Sequence, residues 1–344
     1  MEFTNILKPI AIGRTTMKNR IVMAPINNSS QMFQADGSMT QRCVDYYVKR
    51  AEGGTGLIVT GVFKVENEIE RCENIKDGVM KWPLVTRRSI QQYAELASQV
   101  HSYGAKIFMQ LTAGPGRVTT AEVIRSGVTP VSASVNQCHF VPEATCRALE
   151  THEVQRIVKA FGDAAELIAM AGIDGVEVHG HEGYLIDQFT TSLWNRRTDK
   201  YGGDLGNRLT FPIEILQEIK ARLGSSFPVT YRFGARHFVK GPWKSALHLA
   251  DAELGRDTEE AVAIAVRLEE AGYDGLSVDT GCYESTYWAH PPYFFPRGFA
   301  LDVTAHIKKA VSIPVMVAGR LGVPALAEKA LADGKADMIA LARD

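Results

Sequence analysis

The amino-acid sequence predicts a (β/α)8 barrel, the TIM-type α/β fold. Eight short apolar runs alternate with helix-patterned stretches from residue 20 to the end of the chain, the signature of parallel strands joined by crossover helices. Three long polar or aromatic excursions each follow the end of an apolar run. In such barrels the loops at strand C-termini carry the site. An open doubly wound sheet is the alternative, but no G-x-G-x-x-G follows an early strand, as that fold's dinucleotide fingerprint requires.

Residues 5–20 read as a short N-terminal hairpin around Gly13. Arg20–Pro25 (RIVMAP) is the first barrel strand, stopped by proline. Cys43–Glu52 is an amphipathic helix ended by Gly53-Gly54. Leu57–Gly61 is the second strand. Ser89–Tyr103 is helical by apolar spacing and closes at Gly104. Lys106–Leu111 is the third strand, followed by the excursion 112–149. Thr151–Ala171 is helical, and Gly175–His179 is the fourth strand. Phe211–Leu223 is a helix with its proline early, where it is tolerated. Val229–Phe233 is the fifth strand, followed by the excursion 234–256. Asp257 caps a helix that runs to Ala271. Leu276–Asp279 is the sixth strand, and an aromatic-rich excursion follows it. Asp302–Ala310 is helical, Val315–Ala318 is the seventh strand, Pro324–Ala332 a helix and Met338–Leu341 the eighth strand. No eighth helix is encoded, so the chain reads as an N-terminal fragment of a longer protein with residues 1–344 as one barrel domain.

Composition narrows the partners. The chain is 45% hydrophobic and 22% charged, with 38 basic and 39 acidic residues. That near-neutral balance argues against nucleic acid or an anionic membrane as partner. No apolar run approaches the ~20 residues of a membrane span, and the N-terminus lacks signal-peptide character. The chain reads as cytoplasmic. Cys43, Cys72, Cys138, Cys146 and Cys282 are scattered, without the spacing of a metal knuckle, so no metal site is expected.

The strand ends carry the chemistry. The fourth strand releases His179, His181, Glu182 and Tyr184 within six residues. Two imidazoles, a carboxylate and a neutral phenol suit polarising a carbonyl while delivering a proton; a polar loop with a structural histidine pair is the alternative. After strands seven and eight stand Gly319-Arg320 and Ala342-Arg343, a recurrent phosphate position in these barrels. Pairing with surface carboxylates is the other reading of those arginines. Arg232 ends the fifth strand and requires an anion if buried. Gln110 offers a donor and an acceptor, either for a flat heterocycle or for capping backbone.

The whole chain resembles the old yellow enzyme family of flavin-dependent ene reductases. RIVMAP, YYVKRAEGGTGLIVTGV, GYLIDQF…NRRTDKYGGDLGNR, VAGR and IALARD carry the resemblance, and the third string is the most specific. KIFMQLTAGPGRV, GHEGYLIDQF and YWAHPP point to the long anaerobic branch, the clostridial 2-enoate and dienoyl-CoA reductases. The resemblance implies non-covalent FMN over the barrel mouth. Pro25, Ile26, Asn27 and Gly61 would line the flavin, Gln110 would bind its pyrimidine edge, and Arg232 would sit near N1 and O2. Gly319, Arg320, Ala342 and Arg343 would hold the phosphate.

It also implies reduction of an α,β-unsaturated carboxylate, with hydride from reduced FMN to the β-carbon. Enoyl thioesters, steroid enones and amine demethylation are alternatives within the family, and a flavin-free phosphate-binding lyase or isomerase outside it. Tyr184 matches the family's proton donor and His179 its first carbonyl-binding residue. Glu182 stands where a second donor, His or Asn, is usual. Taken as ionised, it would orient Tyr184 or His181, and His290 would supply the missing donor. Longer relatives add a [4Fe-4S] centre and an FAD/NAD(P)H domain, with NAD(P)H as electron donor. A homo-oligomer is compatible with the sequence.

Overall fold

The structure, a computed structural model, describes residues 3–26, 32–34, 37–71, 82–240 and 253–343. Asn27, Cys72, part of the second excursion (241–252) and Asp344 lie outside them. Eight parallel strands form the barrel: β1 (Ile21–Met23), β2 (Leu57–Val59), β3 (Lys106–Thr112), β4 (Gly175–Gly180), β5 (Val229–Gly234), β6 (Gly275–Asp279), β7 (Val315–Ala318) and β8 (Met338–Leu341). Each pairs with its sequence neighbour, except that β8 returns to β1, which closes the sheet. The register sets Glu177 beside Gln110 and His179 beside Arg232, so the polar strand ends converge at one mouth.

The strands form because their residues are apolar on both faces. Leu57, Ile58 and Val59 are all buried, the condition of a parallel sheet covered by helices outside and side chains inside. The outer layer comprises α1 (Gln41–Glu52), α2 (Ile90–Ser102), α3 (Thr151–Met170), α4 (Thr210–Leu223), α5 (Thr258–Ala271), α6 (Leu301–Ala310) and α7 (Pro324–Ala332). Local chemistry sets their ends. The Asp257 side chain accepts from Glu260 N and starts α5, as a capping residue should. α1 starts two residues before the sequence reading because Thr40 accepts from Cys43 N. At α3, Glu150 and Glu153 form a reciprocal capping box.

The predicted hairpin is present as Ile10–Ile12 antiparallel to Thr15–Met17. Ile12 and Met17 are buried with Leu57, Phe108, Met316 and Met338, so the hairpin plugs the N-terminal end of the barrel. The first excursion is not irregular. It holds a small sheet of Val131–Ser132, Asn136–Gln137 and Thr145–Ala148. This sheet packs beside the short helix Leu185–Thr190 that follows β4. No helix among the described residues is long and apolar enough to cross a membrane.

Candidate active site

A cavity of about 590 Å³ opens at the C-terminal ends of the strands, within the ~300–1,000 Å³ usual for small-molecule sites. Pro25 and Ile26 after β1, Gln110 on β3 and Arg232 on β5 line it. So do His179, His181, Glu182 and Tyr184 from β4 and its loop, His290 after β6, and Gly319, Arg320, Ala342 and Arg343 after β7 and β8. Gly61 is buried behind the wall, its N–H donated to Tyr47 Oη at 2.9 Å, and Val62 is the lining residue there.

The β4 end is preset by hydrogen bonds. His179 Nδ1 lies 3.2 Å from Thr112 Oγ1, which also accepts from Gly114 N at 3.2 Å. We assign the hydroxyl proton to Nδ1, which leaves the imidazole proton on Nε2. Burial and the neighbouring Arg232 push the His179 imidazolium down to about 3, so the ring is neutral at any ordinary pH. His181 Nε2 accepts from Arg232 Nε at 3.2 Å. Its proton therefore sits on Nδ1, which has no hydrogen-bond partner among the described residues and lies 3.6 Å from Asp279 Oδ2. Burial and Arg232 hold this ring, too, in its neutral form.

Arg232 has the anion its burial demands. Its guanidinium donates to Asp279 Oδ2 and to Ser277 Oγ. Gln110 donates from Nε2 to Glu177 Oε1 at 2.8 Å, a buried carboxyl raised by desolvation. These contacts fix both side chains before any ligand arrives.

Glu182 departs from the sequence reading. Burial, reinforced by the charge of Asp279, pushes it up to about 8. At neutral pH it is mostly a carboxylic acid, with a proton to donate. It makes no hydrogen bond to Tyr184 or His181 among the described residues; His290 Nε2 lies 3.1 Å from its Oε1. Its backbone is held at φ 57°, a left-handed conformation that is uncommon for a residue with a side chain.

The phenol of Tyr184 is 5% exposed and raised well above its ordinary value by burial. Its Oη lies 2.6 Å from Tyr283 Oη. Its ring leans on His179 with centroids 4.8 Å apart, and Trp82 meets its edge at 5.5 Å. Tyr283 and Trp82 both line the cavity, and sequence reasoning missed both. Tyr283 lies within the aromatic-rich excursion, but its spacing alone does not distinguish it from its aromatic neighbours.

At the opposite end, Arg320 has φ 54° and donates from Nη1 to Phe295 O. Its guanidinium stands 5.9 Å from the Tyr293 ring. Neither Arg320 nor Arg343 pairs with a carboxylate among the described residues. Gly319 has φ 151°, and a Cβ there would lie 3.1 Å from Ala300 Cβ. The backbone beside the arginines is thus open only to glycine.

The sequence profile of the NADH:flavin oxidoreductase / NADH oxidase family matches residues 5–344. The chain belongs to that family. It is 46% identical over 345 residues to the cinnamate reductase of Clostridium sporogenes, covering 99% of this chain and 51% of that protein. Among solved structures, a 2-naphthoyl-CoA reductase complex superposes with TM-score 0.85 at 27% identity, over 99% of this chain and 50% of that one. The old yellow enzyme homologue of Zymomonas mobilis superposes with TM-score 0.77 at 25% identity, over 98% and 88%. The chain spans about half the length of the curated relatives it matches first. Family membership and the closed barrel agree with the resemblance read from the sequence strings.

Proposed function

We propose that this barrel is an FMN-dependent ene reductase acting on α,β-unsaturated carboxylates of the cinnamate type. The observation that carries it is one cavity with Tyr184 and His179 at one end and, at the other, the guanidiniums of Arg320 and Arg343, which form no ion pair among the described residues. The residues fit FMN. A dianionic phosphate suits the two arginines beside the Gly319 backbone. Gln110 and Arg232, already held by Glu177 and Asp279, present fixed polar edges to a flat heterocycle. Pro25, Ile26 and Val62 supply apolar wall, with Gly61 behind it, and Asn27 follows directly in sequence.

When bound, FMN supplies the hydride that goes to the β-carbon of the alkene. The protein's own groups handle the oxygen and the proton. His179 presents Nε2–H, and neutral Glu182 a carboxylic acid, to the substrate oxygen where negative charge grows. His181 has an Nδ1–H without a hydrogen-bond partner among the described residues, and it can serve the substrate or the polar edge of the cofactor. His290 holds Glu182. Tyr184 delivers a proton to the α-carbon, and Tyr283 is placed to accept the hydrogen bond of its phenol or to restore its proton. Trp82, Tyr184 and Tyr283 make an aromatic slot suited to an aryl substrate. The cinnamate reductase relative supports that choice. In the complete protein, a [4Fe-4S] centre and FAD would bring electrons from NAD(P)H. The test is direct. Purified protein should release one FMN on denaturation and, once reduced chemically, should be reoxidised by cinnamate. FAD alone in the extract, or reduced protein indifferent to cinnamate, defeats the reading.

A further inference from the structure

The string GYLIDQF contains two buried polar residues that the chemistry above leaves unused, Asp187 and Gln188. Both are 0% exposed, although neither touches the cavity. They sit on the first turns of the helix Leu185–Thr190, whose N-cap is Tyr184. Both reach back to the same residue, Gly183. Asp187 Oδ2 accepts from Gly183 N at 2.8 Å. Gln188 Nε2 donates to Gly183 O at 2.7 Å. The residue just before the phenol is thus gripped at both of its backbone polar groups. Gly183 has φ 79°, a conformation that glycine takes at little cost and other residues rarely.

Each gripping side chain is anchored in a different loop. Gln188 Oε1 accepts from Ser132 Oγ at 2.8 Å and from Arg117 N at 3.3 Å, both on the excursion after β3. Asp187 Oδ1 accepts from Arg256 Nη2 at 2.9 Å, and His237 Nε2 lies 3.2 Å from Oδ2. His237 Nδ1 accepts from Arg256 N at 3.1 Å, so the imidazole proton is on Nε2, toward Asp187. His237 and Arg256 both lie in the excursion after β5 and are at most 1% exposed. Through Asp187 and Gln188, the excursions after β3 and β5 are therefore tied to the residue before Tyr184.

We infer that Asp187 and Gln188 are positioning residues, which fix the Tyr184 phenol at its reacting distance by clamping the Gly183 backbone between the loops of β3 and β5. The inference rests on the reading of Tyr184 as proton donor. Burying an ionised carboxylate with an arginine is costly unless every lone pair is used. Here the second oxygen of that carboxylate is spent on Gly183. A displacement of about 1 Å at a reacting group can cost ~10²-fold in rate.

The test is a double-mutant cycle with a structural readout beside it. Gln188→Leu is made in the wild-type protein and in Tyr184→Phe. Each flavin-loaded, dithionite-reduced protein is mixed with cinnamate under anaerobic stopped flow. Gln188→Leu should slow reoxidation by roughly 10- to 10²-fold in the wild type, and by no more than about 2-fold in Tyr184→Phe, because coupled residues are non-additive. Backbone hydrogen exchange of the 181–190 segment should quicken in Gln188→Leu, with β4 and β5 unchanged. Equal slowing in both backgrounds means that Gln188 supports the fold at large, and this overturns the inference. So does an unchanged rate in folded Gln188→Leu. If Tyr184→Phe alone leaves reoxidation untouched, the donor reading itself has failed; the exchange data then separately report whether the clamp exists. Asp187→Asn keeps the shape but loses the charge facing Arg256, and replaces Gln188→Leu in the cycle should the latter not fold.

Discussion

The two ends of the cavity hold their charges in opposite ways. At the β4–β6 end every ionisable group has a protein partner. Arg232 is bound to Asp279 and His181, His179 faces Thr112, Tyr184 meets Tyr283, and Glu182 faces His290. His179, His181, Glu182, Tyr184, Arg232 and Asp279 are buried, and desolvation holds them neutral or paired; His290 and Tyr283 stand nearer the solvent. At the β7–β8 end, Arg320 and Arg343 form no ion pair with a carboxylate among the described residues, although the charge of Arg343 is felt at Glu182. The difference fits the role that the proposed function gives to each end. Reacting groups need fixed tautomers and fixed distances, which internal partners supply. A phosphate cradle needs unspent positive charge, which internal partners would consume.

The comparison can be broken most severely at the preset end. Tyr184→Phe keeps the ring and removes the proton, and general acid catalysis is worth ~10²–10⁴-fold. Reoxidation of the reduced protein by cinnamate should slow by that factor, while flavin reduction stays near normal. A wild-type rate in stopped flow would move the proton donor elsewhere. At the open end, Arg320→Ala should weaken FMN binding by about 10- to 150-fold, since a charge-assisted hydrogen bond is worth roughly 1.5–3 kcal/mol. Fluorescence titration of the flavin-free protein measures this, and an unchanged Kd would remove Arg320 from the cradle.

Smaller effects sharpen the contrast. Glu182 is raised from 4.5 to about 8, so it donates below that pH and loses its proton above it. The alkene half-reaction should fall by up to about tenfold per pH unit above 8. Glu182→Gln keeps a donor that does not titrate and should flatten this limb. The same shift has a sign in stability. Between pH 4.5 and 8 the folded protein binds more protons at Glu182 than the unfolded chain does, so this contribution is lost as pH rises through that window. Thermal melts should show the wild type losing ground to Glu182→Gln from pH 5 to pH 8; parallel curves would place the Glu182 titration outside it. The smallest effect belongs to Tyr283→Phe, which removes one phenol hydrogen bond worth about 0.5–1.5 kcal/mol. Reoxidation should slow only a few-fold, and a loss as large as that of Tyr184→Phe would make Tyr283 the principal donor.

Much of this was legible in the chain itself. The eight apolar runs, the Asp257 cap and the helix start at Pro324 are local signals, because strand burial and helix capping are decided within a few residues; the Thr40 cap, which starts α1 two residues before the sequence reading, was missed. The strand-end positions of His179, Gln110, Arg232, Arg320 and Arg343 followed from that periodicity, and the barrel topology turned sequence order into a shared mouth. The spacing of β4 also placed Tyr184 beside its histidines. Tertiary structure alone decided the rest. The Tyr184–Tyr283 contact joins residues 99 positions apart, and no pattern within either loop encodes it. The clamp on Gly183 draws on side chains from three loops. The protonation of Glu182 reversed the sequence expectation, since a carboxyl read from its neighbours in the chain is an ordinary acid. Its true state depends on how much water the folded walls exclude and on Asp279, which a different strand brings alongside.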